Sequence, residues 1–402
     1  MTATAIRDLD QAVGTALLPE EAWPVYAPDE IEAATDVLRS GRVNQWTGDS
    51  VFEFERACAE HLGGGPGIAL ANGSVALELA LRAFGIGPGD EVIVSPRSFV
   101  ASASCVRLVG ATPVFCDVDP LSGNISAETI APAITERTRA VIPVHIAGWP
   151  ADMPGIMALA ERHDLIVVED CAQAHGAEIG GRKVGTFGDA AAFSFCQDKI
   201  ISTGGEGGYL SFEDRDRWEW AWSFKDHGKS WQKKFNSPPT GPGFQWLHDL
   251  VGTNWRLTAF QAAIGIVQLG KLEAWREART RNAALWAREL AQVPGLSVPT
   301  PAPGIRHAFY KLYAYLDERE DSEARRDEIL ARAAAAGLKL FSGSCSEIYL
   351  EHAFDDLPRP DLPDTRSLGR RSLMVEVHPT LVPERVEARA RAVARIVADV
   401  LG

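Results

Sequence analysis

The stretch AAFSFCQDKIISTGGEGG, residues 191–208, largely decides the fold and the chemistry that this sequence predicts. It joins an apolar, strand-like run to a glycine-rich turn, and Lys199 lies directly between the two. An amine at such a position is partly shielded from water and can serve as a nucleophile toward a carbonyl carbon. The alternative is an ordinary surface lysine whose aliphatic stem covers a strand end. The surrounding sequence has to decide between these two interpretations.

The apolar run at 190–195 is the last of a series of β-rich runs that alternate with helical patterns. The earlier runs are EVIVS (91–95), TPVFCDV (112–118), AVIPVHI (140–146) and LIVVED (165–170). Such alternation predicts an α/β domain with a largely parallel, buried sheet. A helix is predicted over residues 74–84, directly after the glycine at position 73.

Beyond residue 255 the pattern changes, and three parts are predicted. Residues 1–255 form a large α/β domain with an N-terminal segment, residues 256–300 a connecting helix, and residues 301–402 a smaller α+β domain. Within the last part, the sequence predicts strands at 309–316 and 372–378 and helices at 321–336 and 382–400.

Composition excludes several classes of protein. The 402 residues carry a net charge of −14, which would repel a phosphate backbone, so nucleic-acid binding is not expected. No apolar run is long enough to span a membrane, and the N-terminus lacks the pattern of a signal peptide, so a cytoplasmic protein is expected. The 6 cysteines have no metal-binding spacing, which favours reduced, mostly buried thiols and no metal site.

Two further features accompany Lys199. Asp170 ends the LIVVED run, where an open α/β sheet presents residues to a ligand, although a helix cap or a metal ligand would look the same. The sequence Asn72-Gly73-Ser74 begins a helix, where free N–H groups can bind phosphate, although Gly-Ser before a helix is common. A lysine, a strand-end aspartate that can pair with a pyridinium nitrogen, and a phosphate-binding helix start together predict pyridoxal 5′-phosphate (PLP).

From about Leu38 to the C-terminus the sequence resembles the DegT/DnrJ/EryC1/StrS family of PLP-dependent aminotransferases. The segments that carry the resemblance are ANGSVALELAL (71–81), GPGDEVIVSPRSFVAS (87–102), VVEDCAQAHGA (167–177), FSFCQDK (193–199) with GEGG (205–208), and GTNWRLTAFQAAIG (252–265). The resemblance implies a fold-type-I transferase like aspartate aminotransferase, with a large mixed, mostly parallel sheet and a smaller C-terminal α+β domain. Most members of the family aminate keto-sugars linked to nucleotides.

The resemblance also implies roles for residues at the cofactor ring. Lys199 would bind the cofactor covalently and move the proton between Cα and C4′. Asp170 would hold the pyridine nitrogen, Gln173 would bond the ring oxygen, and Phe99 would stack on the ring. Without the family, Phe99 would be a core aromatic and Gln173 a surface amide.

For the cofactor phosphate, the resemblance implies Gly73, Ser74 and Ser194, with Asn254 reaching it from a neighbouring subunit. The active protein would then be a homodimer with active sites at the subunit interface.

Two departures from the family pattern are present. STGGEGG carries one glycine more than usual before the Gly-Glu-Gly-Gly run, so the role of Glu206 stays open. The residues between Ser194 and Lys199 lack the usual histidine. The lysine is retained, which favours transamination over dehydration. His145 is predicted to be a hydrogen-bonded core histidine, and His175 to support the cofactor pocket.

The amino donor is expected to be L-glutamate or L-glutamine, and the acceptor a ketone. Residues 225–234, KDHGKSWQKK, hold four lysines and one aspartate, which suits a diphosphate or carboxylate, with Lys229 as a candidate; a solvated loop is the alternative. Trp46, Thr47 and His307 lie in segments that resemble those lining the family's acceptor site.

Four functions remain to be compared. The leading one is an aminotransferase for a nucleotide-linked keto-sugar or related cyclic ketone, in antibiotic or surface-polysaccharide biosynthesis. A PLP enzyme for a non-sugar natural product, or a non-catalytic regulator with the same fold, is the alternative. An NAD-dependent enzyme would share the strand alternation, but the sequence has no G-x-G-x-x-G.

Overall fold

The computed structural model describes residues 21–238, 241 and 243–402. The predicted absence of a signal peptide concerns the first 20 residues, which lie outside this part of the chain. The strands are β1 (Gly67–Leu70), β2 (Glu91–Val94), β3 (Thr112–Phe115), β4 (Thr138–Ile142), β5 (Ile166–Asp170), β6 (Glu178–Ile179), β7 (Arg182–Lys183), β8 (Ala190–Ser194), β9 (Gly208–Phe212), β10 (Leu296–Ser297), β11 (Ile305–Arg306), β12 (Lys311–Leu316) and β13 (Ser372–Glu376).

The helices are α1 (Pro28–Ser40), α2 (Ser50–Leu62), α3 (Gly73–Ala83), α4 (Ala101–Leu108), α5 (Ala127–Ile130), α6 (Met153–His163), α7 (Arg215–Lys225), α8 (Ala259–Leu290), α9 (Ser322–Ala335), α10 (Pro363–Arg371) and α11 (Pro383–Leu401). The predicted helix over 74–84 is observed as α3, displaced by one residue at each end.

A seven-stranded sheet with the order β1-β9-β8-β5-β4-β2-β3 forms the centre of the molecule. Strands β8, β5, β4, β2 and β3 are parallel neighbours, and β9 is antiparallel to both β8 and β1. This mixed, mostly parallel sheet confirms the predicted fold class. The antiparallel β9 and the edge strand β1 are not among the five strand-like runs read from the sequence.

Alternate residues of the central strands pack on opposite faces of the sheet. Val92 and Val94 belong to a core cluster with α3 and α4, whereas Ile93 belongs to another with α6. This follows from the period of two in a strand, and burial on both faces explains why these strands are apolar throughout.

A second sheet, β10-β12-β13, packs with α9 and α11 near the C-terminus. The 32-residue helix α8 contacts both this unit and the large sheet's surroundings. Strand β10 at 296–297 lies in the predicted connecting segment but pairs with β12, and β11 at 305–306 lies in the predicted small domain but pairs with β6. The structure thus pairs elements across the predicted boundary at 300, and the domain division itself stays a prediction.

Two properties of the described residues concern environment. None of their helices combines the length and apolar composition that a membrane span requires. All 6 cysteines are unpaired, with four of them buried and Cys196 and Cys345 half-buried.

Candidate active site

A cavity of about 610 Å³ opens at the carboxyl ends of β5 and β8, facing the N-terminus of α3. Ligand sites in α/β proteins typically form at this edge of the sheet. Seven of the sequence-predicted residues line it: Gly73, Ser74, Phe99, Asp170, Gln173, Ser194 and Lys199.

Asp170, the last residue of β5, supplies a buried carboxylate to the cavity. Its Oδ2 accepts a hydrogen bond of 2.7 Å from the Ser102 hydroxyl, and its Oδ1 accepts one of 3.1 Å from the Ala172 amide. The Ser98 hydroxyl extends this chain, at 2.8 Å from the Ser102 hydroxyl. Burial raises the pKa of Asp170 above its ordinary value, and the two hydrogen bonds and the charge of Lys199 oppose that rise.

The first turn of α3 presents free backbone donors. The Asn72 side chain caps the helix by accepting from the Val75 amide at 3.0 Å, while the amides of Gly73 and Ser74 have no acceptor within the helix. A Cβ on Gly73 would lie 2.7 Å from Cβ of Ser194, so only glycine allows this close approach of α3 to β8. A free amide pair at a helix N-terminus is a suitable phosphate site.

Gln173 and Phe99 both line the cavity, but Gln173 is buried and Phe99 is exposed. The Gln173 Oε1 accepts from the Ala147 amide at 2.7 Å, which leaves its Nε2 group as a donor. Phe99 is 65% exposed, unlike a core aromatic. An apolar ring open to a cavity in this way can stack on a planar ligand.

Lys199 lies on the loop after β8, and its side chain is 15% exposed. Its Nζ is 3.5 Å from Oδ1 of Asp198 and 4.9 Å from the centre of the Tyr310 ring. The Tyr310 hydroxyl donates to the other oxygen of Asp198. Burial alone would raise the pKa of Asp198, but Lys199 and the Tyr310 hydroxyl lower it below its ordinary value. Asp198 therefore stays ionised beside the amine.

Sequence reasoning missed Ser102, Asp198, Tyr310, Ser344 and Cys345 as lining residues. Ser102 and Asp198 belong to segments that carried the family resemblance, so their position in those motifs was an available signal. Ser344 and Cys345 come from a loop of the C-terminal unit, and no sequence pattern brings that loop to this edge of the sheet.

The backbone conformation before Glu206 explains why two consecutive glycines occur there. Gly204 and Gly205 have φ angles of 88° and 126°, which side chains other than glycine rarely allow. Glu206 is exposed, lines the cavity, and has its Oε1 3.8 Å from the Cys196 sulfur.

Two histidines singled out in the sequence, His145 and His175, are both buried. His145 accepts from the Ala151 amide at Nδ1, 2.9 Å, so its Nε2 carries the proton that bonds Glu169 at 3.1 Å. That carboxylate also accepts from three backbone amides of residues 185–188, so this cluster is structural. His175 packs against Phe193 and Phe195, and burial lowers its pKa to about 3.

The lysine-rich segment 225–234 is held by contacts within the chain. Lys229 Nζ lies 3.5 Å from Asp226 and 3.8 Å from the centre of the Trp46 ring. Lys225 is fully buried and donates to Gln45, and Lys233 pairs with Asp249. Residues 232–234 are nevertheless exposed, so the solvated-loop alternative stays open for that end of the segment, and the role of Lys229 toward a substrate stays a prediction.

The remaining acceptor candidates lie outside the lining of this cavity. Trp46 packs under Lys229 against Phe235, and Thr47 bonds Asn44. His307 is 7% exposed and lines a different, small cavity, where its Nδ1 accepts from the Phe309 amide and burial lowers its pKa to about 3. The structure thus brings none of these three to Lys199.

Asn254, the residue predicted to act from a neighbouring subunit, does not line the cavity of its own chain. Its backbone forms an antiparallel bridge with Asp226. That bridge places Asn254 beside the lysine-rich segment 225–234.

The cavity fits the predicted cofactor on two observations. The glycine that permits contact between α3 and β8 leaves backbone donors for a phosphate, and the buried, ionisable Asp170 is suited to a protonated ring nitrogen.

Known proteins share the sequence and the fold of this chain. Residues 24–394 match the DegT/DnrJ/EryC1/StrS aminotransferase family. The UDP-N-acetyl-3-dehydro-alpha-D-glucosamine 3-aminotransferase of Acidithiobacillus ferrooxidans is 38% identical, over 82% of this chain and 84% of that protein. The L-glutamine:2-deoxy-scyllo-inosose aminotransferase of Streptomyces paromomycinus is 37% identical, over 92% and 86%. The X-ray structure of the aminotransferase from Psychrobacter cryohalolentis is 45% identical, with a TM-score of 0.91 over 95% of this chain and 99% of that one.

Proposed function

Because this chain belongs to the DegT/DnrJ/EryC1/StrS aminotransferase family, we propose that it moves an amino group from L-glutamate or L-glutamine to a cyclic ketone. The ketone would be a nucleotide-linked keto-sugar or a related ring in antibiotic or surface-glycan biosynthesis. The observation that carries this proposal is the cavity that joins Lys199, Asp170 and the N-terminus of α3. The two named relatives act on these two kinds of ring.

The chain is a PLP-dependent aminotransferase. When bound, PLP supplies a reactive carbonyl carbon and an electron-withdrawing ring that stabilises negative charge at the substrate Cα. Lys199 would hold that carbon through its amine. Asp170, kept in place by Ser102, would keep the ring nitrogen protonated, and Gln173 would donate from Nε2 to the ring oxygen. The amides of Gly73 and Ser74 would bind the phosphate.

The Lys199 amine would also carry a proton between the substrate Cα and the cofactor C4′. Asp198, 3.5 Å from this amine and bonded by Tyr310, would restrain its position. A general base needs this restraint because proton transfer depends on a hydrogen-bonding distance to the reacting atom.

The charge of the cavity bears on the acceptor. Among the described residues that line it, three are acidic (Asp170, Asp198 and Glu206) and Lys199 alone is a lysine or arginine. A diphosphate would therefore need cations from outside this lining, whereas a neutral polyhydroxylated ring would not. This observation favours a cyclitol-like ketone as the second candidate acceptor.

We also propose a homodimer with active sites at the interface. Phe244, Trp246 and Val251 are 75%, 84% and 93% exposed, and they precede Asn254 in the same loop region. Apolar side chains so exposed in one region typically mark a protein interface. Pairing through this surface would carry Asn254 toward the phosphate site of the partner subunit.

A cytoplasmic location is part of the same proposal. The 6 unpaired cysteines suit a reducing compartment, where disulfides are rare.

The test of the function is spectroscopic and then chemical. Protein loaded with PLP should show a visible absorption band that Lys199→Ala removes and that Lys339→Ala, at a lysine outside the cavity, retains. L-glutamate or L-glutamine should then discharge the band. If neither these nor other amino acids alter it, the proposed transamination is wrong.

The acceptor is identified by product formation in the second half-reaction. Nucleotide-linked keto-sugars and free keto-cyclitols should be offered to the protein after the donor step. Amination of either class supports the proposal and selects between its two candidates. Turnover of only open-chain ketones would contradict it.

A further inference from the structure

We propose that Trp23 is a positioning residue for Lys199. It is presented by residues 21–26, here called the N-terminal strap, which tie the C-terminal unit to the loop that carries the lysine. The proposal rests on the role of Lys199 given above and is independent of which donor and acceptor the enzyme uses.

The central contact is a hydrogen bond to the backbone of Lys199 itself. The Trp23 indole N–H donates to the Lys199 carbonyl oxygen at 2.9 Å, across 176 residues of sequence. The indole packs edge-on against Trp275, with ring centres 5.1 Å apart, and stacks near His378 at 6.1 Å. The Arg279 guanidinium lies 5.0 Å from the ring. Because these neighbours fix the indole, its N–H approaches Lys199 from a rigid site.

One end of the strap is anchored on the C-terminal helix α11. Glu21 is 1% exposed, and its carboxylate accepts from Arg389 at 2.8 Å and from Arg385 at 3.1 Å. The Thr380 hydroxyl donates to the Ala22 carbonyl at 3.0 Å. A carboxylate buried between two guanidinium groups is a strong local anchor.

The other end of the strap contacts the same loop beyond the lysine. The Tyr26 and Ser202 hydroxyls are 3.1 Å apart, and the Ser202 amide donates to Gln268 at 2.7 Å. The strap therefore holds the loop on both sides of Ile200 and Ile201, which are themselves buried.

This support matters because the backbone around Lys199 belongs to no helix or strand that would hold it in place. Residues 197–199 lie outside any helix or strand, and Gln197 and Asp198 are exposed. The amine position depends on the backbone that carries it, and a displacement of about 1 Å at a reacting group is enough to cost catalysis. The placement of α11 relative to the sheet is thereby linked to the placement of the Lys199 amine.

The test replaces the donor and keeps an aromatic ring. Trp23→Phe removes the N–H. Trp286→Phe serves as the matched control, because it replaces a tryptophan that is buried in the core of the C-terminal unit and whose indole N–H has no hydrogen-bond partner among the described residues. Apoprotein is mixed with PLP, and the growth of the visible band reports covalent capture by Lys199. Affinity for pyridoxamine 5′-phosphate, which needs no bond to Lys199, is measured by titration.

We expect Trp23→Phe to slow covalent capture by about 2- to 10-fold, the usual effect of one hydrogen bond, with unchanged affinity for pyridoxamine 5′-phosphate. Trp286→Phe should leave both values unchanged. Equal capture rates in the two variants would overturn the proposal. So would an equal loss in both measurements, which indicates general damage to the pocket.

A second variant keeps the proposal testable if Trp23→Phe folds poorly. Glu21→Gln leaves the indole in place and weakens the anchor on α11, so capture should slow in the same direction. A Glu21→Gln protein that is less stable to heat but captures PLP at the wild-type rate would separate the strap from Lys199 and refute the link. Absence of a band in the wild type would instead contradict the role of Lys199.

Discussion

Replacing Ser102 by alanine should weaken cofactor binding through Asp170. The Ser102 hydroxyl donates to the buried Asp170 carboxylate at 2.7 Å, and Ser102 itself lines the cavity. A hydrogen bond to a charged group contributes about 1.5–3 kcal/mol. Since about 1.4 kcal/mol corresponds to a factor of ten, PLP affinity should fall by about 10- to 150-fold.

The pH dependence of this loss has a definite sign. Burial already raises the pKa of Asp170, and the Ser102 hydroxyl is the largest influence that opposes the rise. Without that donor the pKa of Asp170 rises further, so the carboxylate is neutralised at a higher pH. PLP affinity of Ser102→Ala should therefore fall on the acid side at a higher pH than in the wild type.

The assay is an equilibrium titration of apoprotein with PLP across a pH series, followed by the visible band and by equilibrium dialysis. Ser104→Ala is the matched control, since Ser104 lies on the same helix α4 but does not line the cavity. If Ser102→Ala and Ser104→Ala bind PLP equally at every pH, the argument that Ser102 controls the ionisation of Asp170 is refuted.

Three further predictions test other parts of the molecule. Gly73→Ala should weaken PLP binding by about 5- to 150-fold, because the added Cβ would overpack the contact between α3 and β8 at a cost of about 1–3 kcal/mol. Gly270→Ala is the control: its Cβ would have no neighbour within 4 Å, so its PLP binding should be unchanged. Burial would raise the pKa of Glu21, but Arg389 lowers it below its ordinary value of 4.5. The ionised carboxylate therefore stabilises the fold at neutral pH, and this contribution is lost as the pH falls below that value. The difference in stability between the wild type and Glu21→Gln should accordingly disappear in acid. His307→Asn should lower stability by about 1–3 kcal/mol and leave the acceptor KM unchanged.

Each of these has a distinct measurement. PLP titration decides the glycine pair, and equal affinities would mean that the N-terminus of α3 tolerates a side chain. Thermal unfolding as a function of pH decides Glu21, and a difference from wild type that stays constant into acid would contradict the ion pair. A raised acceptor KM with unchanged stability would place His307 in the acceptor site, as its sequence segment suggests.

Much of the central sheet and its cavity was predictable because local patterns encode them. The runs at 91–95, 112–118 and 165–170 each contain an observed parallel strand, since burial on both faces requires continuous apolar residues. Parallel strands end at one edge, so Asp170 and the Lys199 loop had to meet there. The antiparallel strand β9 was missed because a short run after a glycine turn carries little periodicity of its own.

The lysine-rich segment is where the sequence was least informative. Its net charge predicts an anion site, which stays a prediction. The charge count did not show that Lys233 pairs with Asp249, 16 residues away, or that Lys225 bonds Gln45, 180 residues away. Charge counted along a segment omits the partners that folding brings to it. His307 was assigned to the acceptor by the resemblance of its segment to the family, and the structure places it in a buried, stacked environment outside the cavity, so its role stays a prediction.

The sequence by itself determined the fold class, because short-range patterns specify strands, helix starts and the edge where they converge. Its resemblance to the family added the cofactor-binding residues from Gly73 to Lys199 that line the cavity. The tertiary structure alone decided which charges are neutralised, which candidate residues lie away from the cavity, and that Trp23 holds the Lys199 carbonyl from 176 residues away. Contacts of that kind depend on how separate elements pack in three dimensions, and no local periodicity records them.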